Sequence, residues 1–167
     1  MAAALMEEVA VEGLQCQLLH PLAKVPIKAH PSDAGFDLFA VLPYARPNDD
    51  QSKLPPYILR PGQRIGMGTG VAVSCPRDVC FQIWPRSGLA SMGLDVLGGV
   101  VDASYRGEVM VLLINHGAQD IPIYHGGRIA QLLPVKLFPC ASLTLPLVTQ
   151  FAPTERGTDG FGSSGTH

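Results

Sequence analysis

The sequence predicts an all-β protein, and three observations point that way. Glycine (18) and proline (15) make up nearly a fifth of the 167 residues, a frequency suited to short strands joined by tight turns. Apolar residues recur with a period of two in several short windows, as on half-buried strands. Only residues 2–11 have the composition of a helix, and that stretch is too short and too terminal to carry a fold. The pattern leaves a sandwich and a barrel equally open.

The elements follow in order. Leu14, Cys16 and Leu18 alternate with Gln15 and Gln17, the period of a strand. The same period, less cleanly, runs through residues 70–74 and 79–84. Residues 109–114 are continuously apolar, which predicts a strand buried on both faces or packed at a subunit contact. Residues 121–124 and 128–137 supply two further strands. Turn chemistry separates these windows at Ser32-Asp33, Pro61-Gly62, Asn115-His116-Gly117 and Gly126-Gly127. Residues 43–61, with Asn48-Asp49-Asp50 and Pro55-Pro56, read as a long surface loop. No internal repeat is present.

Composition narrows the function. With 47% hydrophobic and 16% charged residues, a chain of this length suits one folded domain. A formal net charge of −2 lacks the basic footprint of a nucleic-acid binder, while a small anion can still be served by a few local arginines. Cys16, Cys75, Cys80 and Cys140 form no CxxC pair, so a reducing compartment is expected rather than a disulfide framework. His20, His30, His116, His125 and His167 show no metal-ligand spacing. Residues 1–11 lack the basic and apolar regions of a leader, and no run is long enough to span a membrane. The expectation is a soluble intracellular protein, cytoplasm and nucleus undistinguished.

Several segments carry candidate chemistry. Pro85-Arg86-Ser87-Gly88-Leu89 reads either as a turn after a strand or as a phosphate site. Arginine supplies a bidentate fork, serine a hydroxyl donor, and glycine lets the backbone approach an anion. Ser87 lacks both the elbow and the histidine of a nucleophile. Residues 99–107 form a hairpin-like segment, in which Asp102 is either a turn residue or a general base, the latter worth about 10²–10⁴-fold. Tyr105 beside it is a surface aromatic or part of a site. Arg128-Ile129-Ala130-Gln131 is ordinary by itself. The segment from Arg156 to Gly165 reads as a linker, or as a lid in which Arg156 meets phosphate and Phe161 covers a base. Gly66-x-Gly68-x-Gly70 lacks the strand–turn–helix setting of a dinucleotide site and reads as a bulge or turn.

Together, Ala34-Gly35-Phe36-Asp37-Leu38 and residues 85–90, 99–108, 127–132 and 156–165 resemble the five ordered motifs of the trimeric-type dUTPases. The resemblance spans all but roughly the first dozen residues. It implies a jelly-roll-like, distorted β-barrel subunit assembled as a homotrimer with shared active sites. The implied layout is a short extension over 1–13, a β domain over 14–152, and a flexible Gly/Ser-rich arm over 153–167 closing on the site. The implied reaction is hydrolysis of dUTP to dUMP and pyrophosphate by in-line attack of water on the α-phosphorus. That reaction limits uracil in DNA and supplies dUMP for thymidylate synthesis.

Carried over by position, the resemblance has Arg86, Ser87 and Gly88 hold the triphosphate, with Gln131 near the α-phosphate. Asp102 would align water and Tyr105 would pack beneath the deoxyribose. The backbone of Gly99, Val100, Val101 and Asp102, with Met110, would read the uracil edge. Arg156, Phe161, Gly162 and Ser163 would close from the arm, and Asp37 would touch Mg²⁺ through water. Nucleic acid and membrane are not expected partners. Gly127 stands where an acidic residue is frequent, an expected loosening of that turn, and Asp159 replaces a usual glycine of the arm.

Two rivals follow from the same residues. A dCTP deaminase shares the fold but carries a glutamate ten residues after the hairpin aspartate. Leu112 stands there and cannot move a proton. A dUTPase-like protein that only binds a partner would be marked by loss of Asp102 or of the arm, and both are present.

Overall fold

The computed structural model describes residues 13–139 and 144–155. The helix former at residues 2–11, Cys140, and the arm from Arg156 onward (with Phe161, Gly162 and Ser163) lie outside the described residues. Among those described, the strands are β1 (Gln15–Leu18), β2 (Phe36–Phe39), β3 (Tyr57–Leu59), β4 (Arg64–Gly68), β5 (Val71–Ser74) and β6 (Val79–Trp84). One turn of helix, α1 (Ser87–Ala90), precedes β7 (Leu94–Leu97), β8 (Val100–Val101), β9 (Met110–Asn115), β10 (Ile121–Ile123) and β11 (Arg128–Lys136). No helix among them is long and apolar enough to cross a membrane.

The all-β expectation holds. Strands pair antiparallel in the orders β2-β11-β6-β8 and β4-β9-β7, with two smaller pairs, β1-β5 and β10-β3. Neighbours far apart in sequence, such as β2 and β11, wrap the chain into the jelly-roll-like barrel. Alternation supplies the core. Phe81 and Ile83 of β6 and Val111 and Leu113 of β9 point inward onto Leu38, Met67 and Leu132. Leu38, Leu59 and Leu113 are completely buried, each stabilising the fold by roughly 1.5–3 kcal/mol. Asn115 is completely buried yet satisfied: its Nδ2 donates to Leu59 O (2.9 Å) and Gln119 O (2.7 Å), while its Oδ1 accepts from Gly117 N (2.8 Å). It fastens the end of β9 to β3.

Four local expectations change. β9 is not buried on both faces, because Met110 and Leu112 are exposed while Val111, Leu113 and Asn115 are buried. Of the two alternatives for this strand, only an uncovered apolar face remains. Residues 43–61 are not all loop: Gln51–Lys53 form a 3-10 turn capped by Asp50, and β3 pairs with β10. Gly66 and Gly68 lie within β4, and only Gly70 occupies the turn, with φ +67°. The turn before Arg128 is not loosened by Gly127. Gly126 N donates to Ala40 O (2.7 Å), Ala40 N to Gly127 O (2.9 Å), and Gly127 N to Tyr124 O (3.0 Å).

Candidate active site

The site begins with strand register. Asp37 of β2 lies opposite Gln131 of β11, which lies opposite Trp84 of β6. Directly paired residues share a face, so this row brings a carboxylate and an amide beside the end of β6. Two residues on, the chain turns into α1, with Arg86 extended at its cap and the backbone N–H groups of Leu89 and Ala90 donating to Arg86 O (3.0 and 2.8 Å). Gln131 Nε2 donates to Pro85 O at 3.0 Å and ties β11 to that turn. Gly35 leaves room for it, since a Cβ there would meet Leu133 at 2.7 Å and Gln131 at 3.1 Å.

Charge organises the same spot. Arg86 Nε donates to Asp37 Oδ1 at 2.9 Å, and Arg128 Nε donates to Asp37 Oδ2 at 3.2 Å. The Asp37 side chain is only 12% exposed, against 34% and 43% for the arginines. One carboxylate thus holds two guanidinium groups beside an open cleft of about 330 Å³. Asp33, Arg86, Ser87, Gly88 and Gln131 line it with Asp37. A Cβ on Gly88 would face open space, so nothing in the fold itself calls for glycine there.

Arg128 reaches this face through a β-bulge. Strict alternation from Gln131 would turn Arg128 into the core, yet Ile129 and Ala130 are both buried and the register shifts between Arg128 and Ala130. The extra residue re-aims Arg128 outward beside Gln131. In the sequence Arg128 is ordinary by itself, and a strict period of two would place it on the opposite face from Gln131. The expected links among Asp37, Arg86, Ser87, Gly88 and Gln131 are brought together.

The remaining candidates stand apart. Ile83 N donates to Gly99 O (2.6 Å), and β8 pairs Val100 and Val101 with Gln82 and Phe81. Asp102 follows, exposed, in a turn closed by Tyr105 N donating to Asp102 O (3.0 Å). Tyr105 is half-exposed and its hydroxyl donates to Glu108 O at 3.0 Å. Arg106 donates to Ala103 O (2.6 Å) and Tyr105 O (2.7 Å), stapling the loop, and Met110 opens β9 with its side chain exposed. Asp102 lines another cavity, of about 590 Å³, with Cys75, Arg77, Ser104 and Arg106. Burial first, then Cys80 and Asp78, push the Cys75 thiol up against the opposing pull of Arg106, so it is no activated nucleophile. Val101 sits opposite Phe81, five residues before Arg86 along extended chain. At ~3.3 Å per residue that span of backbone is roughly 16 Å long.

Among the described residues, no three His, Cys, Asp or Glu side chains converge as a metal cage. Both Asp37 oxygens are engaged by arginines. This donor set fits a divalent ion carried on a ligand's phosphate oxygens and met by Asp37 through water, not one caged by protein.

Comparison with known proteins identifies the family. The dUTPase family model matches residues 22–165. A deoxyuridine 5'-triphosphate nucleotidohydrolase of Nocardia farcinica is 41% identical over 162 residues, 95% of this chain and 88% of its own length. One from Cowpox virus is 36% identical over 143 residues, covering 86% of each. The Staphylococcus bacteriophage 80alpha dUTPase, solved with dUpNHpp, superimposes with TM-score 0.77 at 28% identity over 93% of this chain and 99% of that one.

Proposed function

Because the chain belongs to the dUTPase family, and so among hydrolases of dUTP, we propose that its Asp37–Arg86–Arg128 cleft holds the triphosphate while Asp102 directs the attacking water. The observation that carries this reading is the cleft itself: two guanidinium groups preset on one carboxylate beside the Ser87-Gly88 backbone and Gln131. Bidentate arginine and unpaired N–H groups of a first helical turn suit phosphate oxygens. In-line displacement of pyrophosphate from the α-phosphorus needs no covalent intermediate, in keeping with the raised Cys75 thiol.

Each residue then has a part. Arg86, Ser87 and Gly88 bind the triphosphate and orient it, and Gln131 steadies the α-phosphate. Asp102 accepts the water proton as the bond to phosphorus forms. Tyr105 lies beneath the deoxyribose and excludes a 2′-hydroxyl. The backbone of Gly99, Val100 and Val101, with Met110, reads the uracil edge, where a mismatched base leaves polar groups unpaired. Arg156, Phe161, Gly162 and Ser163 close over the bound nucleotide from the 153–167 arm. Mg²⁺, when bound on the triphosphate and held by Asp37 through water, supplies charge neutralisation. The reaction removes dUTP, limiting uracil in DNA, and yields dUMP for thymidylate synthesis.

The same reading requires more than one copy of the chain. Asp102 must stand within a few ångströms of the α-phosphorus that Gln131 steadies, whereas one chain sets Gln131 opposite Trp84 and Val101 opposite Phe81, three residues (~10 Å) along β6 and two strand spacings (~4.8 Å each) across it. Exposed apolar residues mark where copies meet: Trp84 and Val100 near β6, and Met110 and Leu112 on β9, at 53%, 64%, 46% and 38% exposure. A homotrimer sharing its sites satisfies both observations.

Complementation tests this. Arg86→Ala and Asp102→Asn are each expected to be inactive in pyrophosphate release from dUTP. Unfolded together and refolded at equal amounts, they should recover about a quarter of wild-type activity, from sites that draw one intact half from each. Recovery of none would show that a single chain supplies both halves. A wild-type protein that released pyrophosphate from dCTP, dTTP and UTP as fast as from dUTP would remove the substrate assignment.

A further inference from the structure

We propose that Glu108 is a positioning residue that sets Tyr105, and through it the choice between deoxyribose and ribose; this rests on the reading of Tyr105 given above. The Glu108 carboxylate does not face solvent as a surface charge would. Its Oε1 accepts from Gly70 N at 2.7 Å. The seat is built from the Gly68-Thr69-Gly70 corner between β4 and β5. A Cβ on Gly68 would come within 2.9 Å of that same oxygen. Gly70 sits at φ +67°, with Ala23 and His20 each 2.8 Å from where its Cβ would be. This accounts for two glycines of the Gly66-x-Gly68-x-Gly70 run, which no dinucleotide site explains.

The backbone on either side of the carboxylate is gripped as well. Thr69 Oγ1, buried, donates to Val109 O at 2.6 Å, and Val109 N donates to Val71 O at 2.8 Å. The residue pair 108–109 is therefore pinned by one side-chain and two backbone acceptor or donor groups to a single corner. The Tyr105 hydroxyl then donates to Glu108 O at 3.0 Å. Gly107 lies directly under the ring, where any Cβ would overlap the hydroxyl. The chain of contacts runs from the Gly70 amide through the Glu108 carboxylate and carbonyl to the Tyr105 hydroxyl, and the turn to Asp102 closes on Tyr105 N. Moving Glu108 lets the ring drop away from the sugar position while the phosphate cleft, on other strands, stays as it is.

The test is the ratio of kcat/KM for dUTP over UTP, with pyrophosphate inhibition as a measure of the phosphate cleft. Glu108→Ala is expected to lower the ratio about tenfold or more, with the pyrophosphate inhibition constant within about twofold of wild type. Glu108→Gln, whose amide oxygen can still accept from Gly70, should restore most of the ratio. A merely structural glutamate would lower activity on both nucleotides together and leave the ratio unchanged; that result overturns the proposal. If Glu108→Ala does not fold, Gly107→Ala asks the same question from beneath the ring. Its expected outcome is the same loss of selectivity, and a wild-type ratio in a folded Gly107→Ala protein likewise overturns the assignment. A wild-type protein inactive on dUTP would overturn the functional reading itself, whereas an active one with an unaltered ratio in these variants overturns only this inference.

Discussion

The phosphate cleft and the 99–110 hairpin solve opposite problems within one chain. The cleft's charges are paired within the subunit: Asp37 holds both Arg86 and Arg128, Gln131 is tied to Pro85, and the charged groups are half-sheltered. The hairpin is held firmly by its backbone, yet it presents Asp102 and Tyr105 outward. The difference follows from the chemistry each must do. Two guanidinium groups left apart in a cleft would splay, so an internal carboxylate presets them for phosphate. A general base must keep its carboxylate free for water. On the proposed reading, one half binds and the other acts on what a different copy has bound.

The comparison can be broken most sharply at Asp102. Asp102→Asn keeps shape but removes the proton acceptor, and kcat for dUTP is expected to fall by about 10²–10⁴-fold with pyrophosphate inhibition unchanged. Retention of wild-type kcat would mean the hairpin is not the chemical half. Tyr105→Ala comes next: UTP turnover should rise relative to dUTP by roughly tenfold or more as the sugar face opens. Unchanged UTP turnover would detach Tyr105 from the sugar. Asp37→Ala tests the cleft, where two effects compete. Losing a negative charge favours a triphosphate by about 1 kcal/mol in water-like surroundings, whereas releasing two charge-assisted hydrogen bonds costs about 1.5–3 kcal/mol each. Disorder of the arginines wins, and KM should rise about tenfold while sugar selectivity holds. A lower KM would show that the carboxylate only opposes the substrate.

The smallest expected effect is a pH dependence, and it lies on the cleft side. His125 occupies the turn before Arg128, its Nδ1 accepting from Leu42 N at 3.4 Å and its buried Nε2 without a partner. Burial first, then Lys24 and His20, hold its pKa below the ordinary 6.5. The unfolded chain therefore takes up the proton before the folded one does. Stability from the neutral ring is complete above about pH 6.5 and is lost as pH falls below it. His125→Gln should flatten the fall in Tm between about pH 7 and about pH 5. An identical slope in the variant would place the acid sensitivity elsewhere.

Much of this was legible before any coordinates. Residues 79–84 announced β6 to the residue because Phe81 and Ile83 alternate with Gln82 and Trp84. The arginine–serine–glycine set after it was open between a turn and a phosphate site, its donors suiting phosphate. Other features were hidden for definable reasons. The β-bulge at Ile129-Ala130 breaks the period that strand reading relies on, which concealed Arg128. β3 was lost in a polar, proline-rich stretch because its pairing with β10 is a contact across more than sixty residues. Nothing in the sequence singles out Glu108, because its partner, the glycine corner of β4 and β5, lies 38 residues away.

Residue chemistry by itself determined that the chain is all-β and that Arg86, Ser87 and Gly88 suit phosphate; Leu112 speaks against a deaminase only through the family resemblance that places a glutamate there. The first two depend on local period and side-chain functional groups, which a linear string carries in full. Only the tertiary structure decided that Asp37 pairs both arginines, that Arg128 faces outward, and that Asp37 and Gln131 lie on the far side of β6 from the 99–110 hairpin. Those are matters of register across strands distant in sequence, where a shift of one residue turns a side chain to the opposite face.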